Sequence, residues 1–255
     1  MLAANIYVDR TDGGRTLARS LSRYEGTTNM IVLGLPRGGM PVALEVSRAL
    51  ECPLDVVVVR KIGCPGQEEF AIGAIASGGP PFLNESVIER LRLNRDTINE
   101  IVAREHAELA RREVEYRGTR PFPESVFGAI CRTHFCCSLR NKTVLLVDDG
   151  LATGASMRVA VRAIRELNPA RIVVAVPVAS REAVVTLRAE EGVSEVVCPN
   201  IPRFFSAVGQ WYSHFDQTTD DQVRECLLAS AASLAQKRRG QLAGVRPSEA
   251  SGITR

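Results

Sequence analysis

No run of apolar residues in this 255-residue chain approaches the length needed to cross a bilayer, and Met1 to Arg10 lacks the apolar core of a secretory leader. A soluble protein is therefore expected. There is no internal repeat and no dinucleotide-binding fingerprint, because Gly34 and the Gly38-Gly39 pair are wrongly spaced for one. Charge of one sign is not in excess: a net charge of +3 is too weak to argue for nucleic acid. Paired cysteine spacing is missing as well. The seven cysteines, an odd and scattered set without a C-x₂-C pair, point to free thiols, a reducing compartment and hence the cytoplasm. Aromatic residues make up only 5%, so any cluster of rings needs a reason. What is present, 45% hydrophobic and 24% charged residues, is enough for the core of one large α/β domain or two small ones.

The chain is organised around Val144 to Met157, VLLVDDGLATGASM. Val144 to Val147 is a continuous apolar run, as in a parallel strand covered on both faces. Asp148 and Asp149 stand where that strand should end. The small-residue turn Ala152-Thr153-Gly154-Ala155-Ser156 then leads into a helical pattern closed by Asn168-Pro169. Small side chains let backbone close around an anion, Thr153 and Ser156 add hydroxyl donors, and a helix start supplies free N–H groups with the positive end of its dipole. Two acids beside such a cradle would repel a bare phosphate. They suit a ligand that also carries vicinal hydroxyls or a metal ion, since carboxylates accept from hydroxyls and Mg²⁺ takes hard oxygens. A ribose 5-phosphate meets both demands. A plain strand–turn–helix with capping Asp and Thr is the blander alternative.

The segment LLVDDGLATGASM closely resembles the thirteen-residue phosphoribosyl pyrophosphate signature of the type I phosphoribosyltransferases. The resemblance implies an α/β fold, an open and mainly parallel twisted sheet flanked by helices, with a small hood. It implies that Asp148 and Asp149 hold the ribose hydroxyls and a Mg²⁺ ion, while Ala152, Thr153, Gly154, Ala155 and Ser156 hold the 5-phosphate. A homodimer is also a family expectation. One departure is visible: some purine-using members carry a further acid where Ala152 stands, near the purine ring. An alanine cannot titrate, which makes a hypoxanthine or guanine acceptor less expected.

The remaining elements fall around this signature. Residues 9–24 read as a helix, Met30 to Leu35 as a buried strand, Val42 to Leu50 as a helix and Leu54 to Val59 as a second strand. The turn Pro36-Arg37-Gly38-Gly39 between the first two is an anion candidate. Two glycines let the backbone approach a ligand, and Arg37 offers a forked cation. In family terms it resembles the pyrophosphate loop. Arg60-Lys61 is expected at the end of the second strand, with Lys61 meeting the pyrophosphate across from Arg37. Gly63 to Gly79 resembles the family's flexible hood-side loop, which closes over the reaction and excludes water. Within it Glu69 is a candidate general acid or base, with a solubilising charge as the plainer reading.

Residues 94–117 form a long charged helix with a thin apolar stripe through Ile98, Ile101, Val102, Leu109 and Val114. Residues 118–141 read as an insertion. Cys131, His134, Cys136 and Cys137 cluster there, but adjacent cysteines rarely reach one tetrahedral ion, so free thiols are preferred to a metal site. A strand at Arg171 to Val178, a helix at 181–191 and a short strand at Glu195 to Cys198 continue the βαβ rhythm. Rings then concentrate between Pro199 and Asp216. Most suit a satellite core, while Phe205, then Trp211, are the candidates to stack on a planar heterocycle. A last helix is expected over 220–236 and a disordered tail over 237–255. Residues 1–236 are thus read as a single domain with hood elements near 62–80 and 199–216.

The expected activity is Mg²⁺-dependent transfer of a phosphoribosyl group from phosphoribosyl pyrophosphate to a nitrogenous base, of nucleotide-salvage type. The alternative is a regulator that senses the donor or a nucleotide without turnover. No helix-turn-helix and no concentrated basic face before Lys237-Arg238-Arg239 supports nucleic-acid binding. Hydrolysis of the donor without a base is a third reading.

Overall fold

In a computed structural model, residues 6–118 and 139–244 are described, with side chains for all of them except Glu69 and 238–244. The main body is built on five parallel strands in the order β2-β1-β6-β7-β8: β1 (Met30–Gly34), β2 (Leu54–Val56), β6 (Thr143–Val147), β7 (Arg171–Ala175) and β8 (Val193–Val197). Every residue of β1 is buried, which explains why its apolar run does not alternate. Alternation appears instead in which core each side chain joins. Leu145 and Val147 of β6 face α1 (Arg10–Ser20), α2 (Gly39–Ala49) and α7 (Asp220–Gly244). Val144 and Leu146 face α5 (Ala155–Arg165) and α6 (Arg181–Arg188). The α/β expectation is met.

The chain steps outward from β1 to β2 on one side of the sheet and from β6 through β7 to β8 on the other. The boundary between β1 and β6 is therefore a topological switch point, where ligands of open α/β sheets bind beyond the carboxyl ends of the strands. Register fixes the two ends level: Gly34 pairs with Val147, and the Leu35 N–H donates to the Val147 carbonyl at 2.9 Å.

A second, antiparallel sheet forms the hood, in the order β3-β4-β5: β3 (Val59–Cys64), β4 (Gln67–Ala76) and β5 (Phe82–Leu83). Helices α3 (Glu85–Arg90) and α4 (Arg95–Arg117) cover it, with Ile62, Ile72, Ile88 and Ile98 in a small core of their own. Two expectations are corrected here. Arg60 and Lys61 do not end β2; the chain leaves the main sheet after Val56, and both lie on the first hood strand. Residues 63–79 are not a loop but mostly a ten-residue strand and its hairpin turn. Their glycines suit close strand approach, since a Cβ on Gly73 would lie 2.4 Å from the Phe82 carbonyl oxygen. Arg117 at the end of α4 is buried against Asp55 of β2, Nε to Oδ1 2.9 Å, which ties hood to body. Val114, expected in the α4 stripe, is 60% exposed.

The last helix runs beyond Gln236 to Gly244, and residues 245–255, with Cys131, His134, Cys136 and Cys137, lie outside the described residues. No helix among the described residues is long and apolar enough to cross a membrane. Because Leu145 is fully buried in the central strand, Leu145→Ala should cost about 2–5 kcal/mol of stability by urea unfolding, with the cavity term included.

Candidate active site

β6 ends at Val147, and the next two residues carry the carboxylates. Asp148 Oδ1 accepts from the Asp149 backbone N–H at 2.8 Å, so the first acid caps the start of the turn. Asp149 Oδ2 takes the Arg10 Nε–H at 2.8 Å, in a pair whose side chains are 13% and 14% exposed. Burial pushes the Asp148 carboxyl well above the usual carboxylate range; the Asp149 charge adds to this, while the Asp149 N–H and Arg10 oppose it. Asp149 is also raised by burial, against the hydrogen bond and charge of Arg10. These acids sit at the strand end rather than beneath the sheet.

The pyrophosphate-loop candidate lies directly against them. Gly38 caps α2, and the Pro36–Arg37 peptide before it is cis. A Cβ on Gly38 would stand 2.1 Å from Asp149 Oδ2, and one on Gly39 would stand 2.8 Å from the Val147 carbonyl oxygen. The close approach these two glycines permit is thus to the acid couple itself. Arg37 is half-buried, with its guanidinium 3.7 Å from Asp220 Oδ2, and Tyr116 donates its hydroxyl to Asp220 Oδ1 at 2.8 Å.

On the other side of the acids, the Ala152–Ser156 turn is open. Ala152, Thr153 and Ser156 are exposed, Gly154 has φ +71° and packs on Leu187, and Ala155 begins α5. Only a residue without Cβ takes that left-handed step at little cost. Ser180 holds the turn by donating to the Ala152 carbonyl at 2.7 Å. The Thr153 hydroxyl oxygen accepts from the Ala155 N–H at 3.3 Å, a long bond that an anion can replace. The amides of the first α5 turn have no intrahelical acceptor and face the same opening.

The family model for the phosphoribosyl transferase domain matches residues 5–210, a span that includes the Val144–Met157 segment. The chain belongs to the phosphoribosyl transferase family. It is 39% identical over 219 residues to proteins from two strains of Mycobacterium tuberculosis, MT0597 and Rv0571c, which carry provisional phosphoribosyl transferase names. That alignment covers 86% of this chain and 45% of theirs, so the chain spans less than half the length of these relatives. Among solved structures, TT1426 of Thermus thermophilus superposes with a TM-score of 0.72 at 41% identity, covering 87% of this chain and 97% of that one.

Lys61 is exposed on β3 and lines a cleft of about 790 Å³ together with Arg60, Arg104, Glu68, Glu100 and Ser156. The hood and the Ala152–Ser156 turn therefore face one opening, lined with charged groups of both signs. Glu69 lies on β4, but its side chain is outside the described set. Phe205 is half-buried against a satellite cluster of Tyr7, Val178, Trp211 and Tyr212. Trp211 is 7% exposed in that cluster, so it serves as core and not as an open stacking platform. Its indole N–H has no hydrogen-bond partner among the described residues.

Arg10 was not legible as a site residue. It is separated from Asp149 by most of the chain, and nothing local marks it apart from a position at the start of a helix capped by Asp9. Tyr212, which donates to the Asp149 carbonyl at 2.5 Å, was seen only as one ring among several.

Two outcomes test this geometry. Gly38→Ala should displace the Asp149 carboxylate and weaken sugar-phosphate binding at least about tenfold with the far-UV spectrum unchanged, checked by calorimetry. The second concerns pH. A carboxyl raised in the folded state binds more protons there than in the unfolded chain, so its contribution to stability falls as pH rises from the ordinary Asp value through the raised one. Asp148→Asn should therefore resist urea better than the parent near about pH 8, with the gain shrinking towards about pH 4.

Proposed function

We propose that the protein transfers a phosphoribosyl group from phosphoribosyl pyrophosphate to a nitrogenous base, releasing pyrophosphate, in a reaction of nucleotide-salvage type. One observation carries this reading: the acid couple stands at the switch point between an open phosphate turn and the Pro36–Gly39 turn, with each on a helix N-terminus. That is an arrangement for a sugar with an anion at either end.

In this reading the 5-phosphate lies on the α5 amides, with Thr153 and Ser156 hydroxyls around it. The two ribose hydroxyls donate to Asp148 and Asp149. The pyrophosphate lies toward Arg37, the Gly38-Gly39 amides at the start of α2, and Lys61 across the hood cleft. As the bond between the anomeric carbon and the pyrophosphate oxygen breaks, negative charge grows on the leaving group, where these cations and amides stabilise it. The acceptor nitrogen forms the new bond and releases a proton. Ala152 cannot receive it, which leaves Glu69 of the hood as the candidate base.

The donor set suits Mg²⁺ that arrives with the substrate. Among the described residues no three His, Cys, Asp or Glu side chains converge on one point, and one Asp149 oxygen is already taken by Arg10. Mg²⁺ typically rests on one or two carboxylates and completes its shell with water and phosphate oxygens. Asp148 and Asp149 would hold it, and it would supply Lewis-acid neutralisation of the departing pyrophosphate. The free thiols Cys52, Cys64, Cys198 and Cys226 support a cytoplasmic setting.

The test is release of pyrophosphate, with mass spectrometry of products, on mixing the protein with Mg²⁺, donor and a panel of nucleobases. The reading expects one base-dependent nucleotide. Asp148→Asn combined with Asp149→Asn should lower donor binding at least about a hundredfold while leaving the fold intact. Donor binding without release would favour a sensing role, and release without a base would favour hydrolysis.

A further inference from the structure

The acid that faces the ribose in the proposed reaction does not stand alone, and what holds it comes from two segments far apart in the sequence. Residues 7 and 8 run alongside 211–214: the Tyr7 N–H donates to the Trp211 carbonyl at 2.8 Å, the Ser213 N–H to the Tyr7 carbonyl at 2.8 Å, and the His214 N–H to the Val8 carbonyl at 2.9 Å. Asp9 then caps α1 by accepting from the Asp12 N–H at 2.8 Å, which makes Arg10 the first helical residue. Its guanidinium is fixed on three sides. Nε donates to Asp149 Oδ2, one terminal nitrogen donates to the Asp216 carbonyl at 2.6 Å, and the plane lies 3.9 Å from the centroid of the Phe215 ring. Phe215 is stacked on Tyr212 at 5.2 Å, and Tyr212 donates to the Asp149 carbonyl. Side chain and backbone of Asp149 are thus held by a single cluster.

From this arrangement we infer that Arg10 is a positioning residue for the ribose end of the site, aiming Asp149 by engaging one carboxylate oxygen so that the other is presented to a sugar hydroxyl. The inference deepens the transferase reading and rests on it. A free Asp side chain samples several rotamers and could turn either oxygen outward. With Oδ2 bound to Arg10 and close against Gly38, rotation of the carboxylate costs a charged hydrogen bond. Arg10 engages Oδ2, which leaves Oδ1 without a side-chain partner among the described residues. Phe215 and the Asp216 carbonyl in turn keep Arg10 from swinging to solvent, where a long cationic side chain would otherwise gain rotamer freedom. The 211–216 segment, read from the sequence mostly as satellite core with Trp211 as a candidate to stack on a base, acts in this inference on the ribose end.

Calorimetry on the full chain tests this with two probes, phosphoribosyl pyrophosphate and inorganic pyrophosphate, each with Mg²⁺. Arg10→Ala should weaken the donor about tenfold and change pyrophosphate by no more than about twofold, because only the donor carries the diol. Arg10→Lys keeps the charge without the fork and should fall between the two. Phe215→Ala leaves the ion pair in place and should weaken the donor about threefold. Unchanged donor affinity in Arg10→Ala overturns the inference. So does an equal loss for both probes, which would mean general damage to the site, and so does full recovery in Arg10→Lys, which would mean that charge and not aim matters. Should Arg10→Ala fail to fold, unchanged donor affinity in Phe215→Ala overturns the inference on its own. Failure of the parent protein to bind the donor would instead bring down the transferase reading, and the inference with it.

Discussion

Two carboxylates side by side at a desolvated strand end repel each other, and much of the surrounding structure answers that repulsion. Each acid is raised by burial, and Asp148 feels the charge of its neighbour as well. The compensation is partial and one-sided: Arg10 donates to Asp149, while among the described residues the hydrogen bond to Asp148 comes from the backbone N–H next to it. A site left in this condition is primed for hydroxyl donors or a cation, since either relieves what the protein leaves unpaired. The glycines at 38 and 39 follow from the same constraint. The first turn of α2 must come close enough to deliver its amides, and the acids occupy the space where side chains would stand.

Much of this was readable from residues because the signals were local. The apolar run of β6, its two acids and the Thr-Gly turn are contiguous, and the burial of both faces of β6 follows from an unbroken run of Val and Leu. The hood was misread for the opposite reason. Glycines that suggested a loop between 63 and 79 are where strands lie close, and the break after Val56 that sends Arg60 and Lys61 into another sheet has no strong turn residue to announce it. Trp211 shows how a scarce ring invites a functional role when packing accounts for it. Arg10 depends on pairing between distant segments, which a periodicity argument does not see.

The hood is anchored on the helix that follows the Ala152–Ser156 turn. Arg162 of α5 lies 4.8 Å from the centroid of the Phe82 ring on β5, and it shares Glu190 with Arg158, each donating at 2.6 Å. Ser156, in the first turn of α5, lines the cleft beneath the hood hairpin. In the proposed reaction one rigid element would therefore present its amides to the sugar phosphate and its flank to the sheet that overhangs the acceptor side. Such continuity fits a reaction in which two substrates must be aligned before a bond is exchanged.

The level pairing of Gly34 with Val147 acts as a ruler. Beyond it, each strand has a fixed number of residues before its working turn: Leu35 to Gly38 on one chain segment, Asp148 to Ser156 on the other. Adjacent parallel strands lie about 4.8 Å apart, and each residue of strand advances the chain by about 3.3 Å. A single insertion or deletion in either connector would therefore shift one turn against the other by a large part of their separation. Length in these two short connectors is therefore constrained along with the identities of Gly38, Asp148, Asp149 and Gly154, and gain or loss of residues should be tolerated only elsewhere.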